Sequence, residues 1–164
     1  MTIIVKNKDT LILDDFEFRC CVGKNGFSNN KIEGDKKTPI GEFGLENLYF
    51  RRDRKVKPNT KLKIIEIKKN MGWCDDIKTK KNYNKLIEGS LHLRKENLFR
   101  RDHKYDFFIP IKYNWKNPKL GKGSAIFLHL TKNYKPTAGC IGLSEKDFLI
   151  LLKLLKKDTK IKIA

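Results

Sequence analysis

Short hydrophobic runs separated by polar turns open the chain: Thr2 to Val5 and Thr10 to Leu13 flank Asn7-Lys8-Asp9, and Phe16 to Val22 follows. Runs of this length, rich in β-branched and aromatic residues and bounded by turn formers, predict three strands. Gly23 to Gly34 is rich in Gly and Asn without core periodicity and reads as a loop. Leu62 to Ile67 is a short β-branched strand. Phe107, Ile109, Ile111 and Tyr113 alternate with Phe108, Pro110 and Lys112, a period-two strand whose proline belongs at an edge or bulge. Ala125 to His129 is apolar and reads as a buried strand. Between these, Lys68 to Asp106 is polar and irregular, which in a compact domain predicts a functional insertion or lid.

The period changes after Ser144. Phe148, Leu151, Leu152 and Leu155 fall at helical spacing behind a serine with Asp147 three residues on, a capping signal. Lys153, Lys156 and Lys157 complement the helix dipole at its carboxyl end. Asp158-Thr159 then breaks to a last strand, Lys160 to Ile163. The expected fold is mainly β: a β-sandwich or barrel-like core with one C-terminal helix and an irregular central insertion.

At 164 residues the chain is long enough for one core, so residues 1–164 are read as one domain. Lys and Arg total 37 against 19 Asp and Glu, a formal charge of +18 that attracts polyanions. The lysines are spread along the whole chain with no Arg-rich patch, so no dedicated nucleic-acid surface is expected. Cys20, Cys21, Cys74 and Cys140 lack the spacing of a zinc site, and no Gly-rich phosphate loop is present; no cofactor or metal is expected. Cys20 and Cys21 are adjacent in a strand and point to opposite faces, so at least one is a core thiol. Met1-Thr2-Ile3-Ile4-Val5-Lys6 lacks the parts of a signal peptide. No apolar run reaches membrane-spanning length.

Chemistry concentrates in Ser124-Ala125-Ile126-Phe127-Leu128-His129 and Thr137-Ala138-Gly139-Cys140. An imidazole beside a thiol converts a modest nucleophile into one competent for acyl transfer. Gly139 lets backbone approach a carbonyl closely, and N–H groups there form a candidate oxyanion hole. Free cysteine is also among the most buried residue types, so the spacing alone favours a core thiol beside a core or rim histidine over a catalytic pair. Asp75 and Asp76 are consecutive, which favours turn chemistry over paired acid and base roles. His92 and His103 sit in polar surroundings and are weaker candidates.

The His, variable stretch and Thr-x-Gly-Cys pattern resembles the L,D-transpeptidase (YkuD-type) family. Gly34-Asp35-Lys36-Lys37-Thr38-Pro39-Ile40-Gly41-Glu42-Phe43 is similar to the segment that family carries upstream of its catalytic strand. Trp73-Cys74-Asp75-Asp76, Tyr83-Asn84, Leu98 to Asp102 and Tyr105-Asp106 look like a compact proteobacterial branch. The resemblance implies a peptidoglycan cysteine acyltransferase that crosslinks stem peptides: Cys140 the nucleophile, His129 the general base, Gly139 the oxyanion backbone. It offers Thr137, Ala138, Trp73, Tyr83 and Asn84 as substrate-binding residues and carbapenem-type β-lactams as inhibitors. It further implies a periplasmic or cell-wall location, while the absence of a visible leader leaves the cytoplasm open. Two alternatives stand: an L,D-carboxypeptidase or amidase-like hydrolase using the same thioester, and a non-catalytic cell-wall or polyanion binding module.

The sequence departs from the family's pattern at three positions, Ala138, Leu130 and Gly142. Ala138 leaves His129 as the motif's only imidazole. Leu130 has no polar side chain, so a backbone carbonyl must hold the ring tautomer. His129 and Cys140 are eleven residues apart, a shorter interval than is usual in the family, which predicts an open cleft.

Overall fold

The computed structural model describes residues 1–89 and 92–164; Ser90 and Leu91 of the expected insertion lie outside the described residues. In chain order the strands are β1 (Thr2–Lys6), β2 (Thr10–Leu13), β3 (Phe16–Cys21), β4 (Phe27–Ser28), β5 (Thr38–Pro39), β6 (Gly41–Gly44), β7 (Leu48–Phe50) and β8 (Ile64–Glu66). There follow β9 (Met71–Cys74), β10 (Leu86–Glu88), β11 (Lys95–Asn97), β12 (Phe107–Pro110), β13 (Phe127–Leu130) and β14 (Ile141–Leu143). Helix α1 (Glu145–Leu154) and β15 (Lys160–Ile163) end the chain. The mainly β, one-helix class expected from the sequence is the class observed.

Ten strands form one sheet in the order β6-β15-β1-β2-β3-β14-β13-β12-β7-β8. Its first hairpins turn on residues that tolerate left-handed backbone: Asn7 (φ 55°) and Lys8 (φ 65°) between β1 and β2, and Asp14 (φ 51°) between β2 and β3. β15 runs parallel to β1, with Thr2 opposite Lys160. The sheet curls, so that Ile3, Leu11 and Ile161 at one end share a core with Ile109, Leu128 and Leu143 from the middle. Helix α1 closes that core with Phe148, Leu151, Leu152 and Leu155. Ser144 Oγ accepts the Asp147 N–H at 3.2 Å, the predicted cap.

A second, smaller cluster covers the other face. It contains Tyr49, Trp73, Leu98, Tyr105, Phe108, Phe127 and Cys140. The strands β12 and β13 are therefore buried on both faces: Phe107, Ile109, Leu128 and Leu130 enter the main core, and Phe108 and Phe127 the second. Pro110 is not at an edge, but it faces a one-residue slip in pairing, Tyr49 lying opposite Phe108 and Leu45 opposite Ile111, which is the bulge expected for it. It ends an interior strand, where the Ile111 N–H donates toward β13 and so turns the proline nitrogen to the β7 side. There the regular ladder ends at the Phe108 and Tyr49 pair, before the proline, so the missing N–H forfeits no ladder bond.

The central insertion is mostly irregular but not without order. It holds a three-stranded sheet, β10-β9-β11, whose strands are too short to display alternation and are seated on the second cluster through Met71, Trp73 and Leu98. Cys20 enters the main core, and burial pushes its thiol up to about 12. Cys21 lies on the opposite face against Gly142 and Thr131, as adjacent strand residues require. All four cysteines are free thiols.

Truncation of the closing helix tests this packing: Leu151→Ala should lower unfolding free energy in urea by about 2–5 kcal/mol. A loss under about 1 kcal/mol would show that α1 does not close the core.

Candidate active site

Parallel pairing of β13 with β14 sets Leu128 beside Ile141 and His129 beside Gly142. Phe127 and His129 point to the same face, and Cys140, immediately before β14, joins that face. His129 and Cys140 consequently line one cavity of about 230 Å³. Its wall also carries Lys31, Glu33, Asp75, Arg94, Glu96 and Lys104, three cations and three carboxylates. The cleft is not open as the short interval predicts: Cys140 is 9% exposed and His129 2%. The insertion supplies Asp75, Arg94 and Glu96, and the segment leading into β12 supplies Lys104 and Tyr105, so the covering wall comes from elsewhere than the interval between His129 and Cys140.

Cys140 Sγ donates to Ala125 O at 3.2 Å and accepts the Phe127 N–H at 3.4 Å. Burial pushes the thiol up to about 12, against a smaller lowering by the Phe127 N–H. The His129 Nδ1 lies 2.9 Å from Leu130 O. A carbonyl only accepts, so Nδ1 carries the proton and Nε2 keeps a lone pair. The backbone thus holds the tautomer, as the absence of a polar side chain at Leu130 requires. Burial depresses the imidazole to about 3, with Lys104 and Arg100 adding to the effect. At neutral pH thiol and imidazole are both uncharged, and among the described residues no hydrogen bond joins them in the resting state.

The turn ahead of the thiol is fastened at Thr137, Gly139 and Cys140. Thr137 Oγ1 donates to Cys140 O at 2.6 Å and accepts the Gly139 N–H at 3.0 Å. This corrects two expectations. The Gly139 amide already has an acceptor, which leaves the Cys140 amide from the pair expected to hold an oxyanion. The Thr137 hydroxyl is consumed within the turn, so that residue positions the thiol rather than reaching substrate by its side chain. Ala138 is exposed at the cavity wall. Gly139 sits at φ 139°, and a Cβ there would lie 2.8 Å from Lys37 O, so no larger residue fits. The Thr-Pro block explains that approach: Thr38 Oγ1 donates to Gly139 O at 2.8 Å and accepts the Gly23 N–H at 2.8 Å.

Trp73, Tyr83 and Asn84 do not line this cavity. All three are buried anchors, a correction to their expected contact with substrate. Asn84 Oδ1 accepts from Trp73 Nε1 at 2.9 Å and from the Ala125 N–H at 3.1 Å; its Nδ2 donates to Tyr113 O and Asn114 O. The Tyr83 hydroxyl donates to Glu33 Oε1 and accepts the Gly123 N–H. Together they hold Gly123 to Ala125, whose last carbonyl accepts the thiol's hydrogen bond. Ala125 is kept at φ 52°, an unfavourable backbone for an alanine that the network enforces.

Sequence reasoning missed most of the charged wall. Asp76 takes the turn role expected of it, accepting the Lys78 and Arg94 N–H groups. Asp75 instead lines the cavity; burial, then Glu33 and Glu96, raise its carboxyl against the pull of Arg94. Its Oδ1 is buried without a hydrogen bond, 3.5 Å from Arg94 Nε. The Tyr105 hydroxyl donates to Glu96 Oε1 at 2.9 Å and its ring packs edge-on to His129. No spacing in a chain with this many charges singles these residues out. His92 is exposed, and His103 is half-buried beside a neighbouring cavity.

The fold is a curled, mainly β domain that sets a thiol and an imidazole on one cavity. The family model of the L,D-transpeptidase catalytic domain (YkuD) matches residues 1–163. The chain belongs to that family. No curated protein sequence matches it. Among solved structures it is similar to Bd1075 of Bdellovibrio bacteriovorus, 17% identical with a TM-score of 0.52, covering 99% of this chain and 47% of that one. It is also similar to the helical cell shape determining protein Pgp2 of Campylobacter jejuni, 19% identical with a TM-score of 0.51, covering 99% and 46%. The chain therefore spans about half the length of these neighbours, and the likeness is one of fold. Among the described residues no helix is long and apolar enough to cross a membrane.

Two measurements probe the site. The native imidazole refuses a proton that the unfolded chain accepts, so its contribution to stability is complete above pH 6.5 and is lost as pH falls toward 3. In that window the slope of stability against pH should exceed that of His129→Gln by up to about one proton; identical slopes would mean that the ring titrates normally. Thr38→Val, which strands Gly23 N–H and Gly139 O, should cost about 1–3 kcal/mol and slow alkylation of Cys140. Unchanged stability would remove Thr38 as the clamp.

Proposed function

We propose that this domain is a peptidoglycan L,D-transpeptidase working through a thioester on Cys140, with residues 1–164 as one catalytic domain. The observation that carries this reading is a buried thiol and a buried imidazole on one cavity, with the imidazole Nε2 unprotonated. The donor stem's carbonyl enters beside Cys140. As sulfur bonds to the carbonyl carbon, His129 Nε2 takes the thiol proton, and the amide of Cys140 faces the developing oxyanion. The tetrahedral adduct then expels the amine, which takes its proton from His129. An amine of a second stem attacks the thioester, restoring the thiol and completing the crosslink.

Neutral partners make this a coupled attack and proton transfer rather than reaction of a preformed thiolate. Burial that disfavours both ions also strengthens their mutual attraction once they form. A second reading keeps the thioester and resolves it with water, as an L,D-carboxypeptidase or amidase-like hydrolase. The charged cavity wall favours it, because such a wall holds water beside the acyl group. Either chemistry belongs at the cell wall, where it would alter cell shape through the density of crosslinks.

Muropeptides incubated with the protein and resolved by mass spectrometry separate the readings: a dimer bonded through diaminopimelate supports transfer, a shortened stem supports hydrolysis, and unchanged stems refute both. Cys140→Ala should abolish turnover with the fold intact, and His129→Gln should slow acylation by roughly two to four orders of magnitude. Carbapenem-type β-lactams should acylate Cys140 slowly, since the thiol is neutral and covered. Intact-mass analysis showing equal labelling of the wild type and Cys140→Ala would argue against an activated thiol.

A further inference from the structure

His129 borders two cavities. The first contains Cys140; the second, of about 250 Å³, does not. His129, Lys104 and Thr137 line both, so the cavities adjoin across the imidazole. Their charges differ. The first mixes carboxylates with cations, whereas every charged side chain on the second is a lysine: Lys104, Lys132 and Lys135, with His103 beside them. None of these lysines makes an ion pair among the described residues. The nearest carboxylates along the chain are engaged elsewhere, Asp102 with Arg100 and Asp106 with Arg54. Lys104 is half-buried, held by its backbone: its N–H donates to Asp102 Oδ1 at 3.1 Å and its carbonyl accepts the Leu130 N–H at 3.0 Å.

Acyl transfer at the end of a peptide has a fixed polarity. The acyl part stays with sulfur, in the first cavity. The departing nitrogen must reach His129 for its proton, so the rest of the departing residue continues past the imidazole. When that residue is the last of a stem it carries a free carboxylate. We infer that the cavity beyond His129 is an anion pocket for the carboxylate of the departing D-amino acid, with Lys104 as its inner anchor and Lys132 and Lys135 at its mouth. This rests on the acyl-transfer reading above and adds which donors the site selects: stems ending in a free acid.

The placement bears on catalysis as well as on binding. Lys104 opposes a positive charge on His129, an effect that Asp102 offsets only in part. A carboxylate set against Lys104 offsets that field, so the imidazole accepts the thiol proton more readily when the correct donor is present. Substrate and base are thereby coupled through one lysine, a positioning and specificity-determining residue rather than a catalytic one.

The test uses N-acetyl-D-alanine and N-acetyl-D-alaninamide, titrated into Cys140→Ala while the His129 ring resonances are followed by NMR. The acid should shift them and the amide should bind about tenfold more weakly or less, the loss expected for one charge-assisted contact. Lys104→Met, which keeps the side-chain stem, should weaken the acid by about tenfold and leave the amide unchanged. Exchange of the exposed pair, Lys132→Gln with Lys135→Gln, should act in the same direction to a smaller extent and serves if Lys104→Met does not fold. Equal binding of acid and amide, or the same discrimination in both lysine variants, overturns the pocket. Turnover is read separately with tetrapeptide donors ending in acid or amide. Absence of any thioester with either donor sinks the acyl-transfer reading, whereas transfer at equal kcat/KM from both sinks the anion pocket alone.

Discussion

Desolvation of a thiol and an imidazole on one face of two parallel strands governs this molecule's chemistry. Burial penalises the charged form of each, moving the Cys140 thiol up and the His129 imidazole down, so the resting pair is neutral. Such a pair is unreactive until an electrophile arrives. The cost of ionisation is recovered only when both charges form together, as they would in the proposed attack on a carbonyl. Everything around the pair either keeps it dry or keeps it oriented.

Orientation is distributed over distant parts of the sequence. Thr38 ties Gly23 to Gly139 from one side. From the other, Tyr83 and Asn84 hold the backbone that ends in the thiol's acceptor, Ala125 O. The central insertion is thus a structural brace as well as a wall: its Trp73 and Leu98 fill the second cluster while Asp75, Arg94 and Glu96 face the cavity. Polar composition there reflects a thin sheet with one packed face, and each strand contributes only a few residues to the contact.

Charge follows a different logic on the two sides of His129. The side holding the thiol is mixed, and Asp75 sits there with a buried oxygen that Arg94 approaches at 3.5 Å without a hydrogen bond among the described residues. The far side is cationic. A net charge of +18 spread over the whole chain conceals that contrast in one dimension, because only folding separates lysines held in ion pairs from lysines that are not.

The sequence by itself determined the strands at both ends, the capped helix, the opposed faces of Cys20 and Cys21, and the His129 and Cys140 pair with its turn, since each follows from local periodicity or from a short motif. It also required that a backbone carbonyl hold the His129 tautomer, because Leu130 offers nothing else. Tertiary structure alone decided that Trp73, Tyr83 and Asn84 are anchors, that Thr137 and the Gly139 amide are spent within the turn, that Pro110 lies inside the sheet, and that the cleft is covered. The physical reason is the same in each case: a polar group's role depends on which partner folding brings to it, and Thr38 and Gly139, or Asn84 and Ala125, are far apart until the sheet curls and the insertion docks.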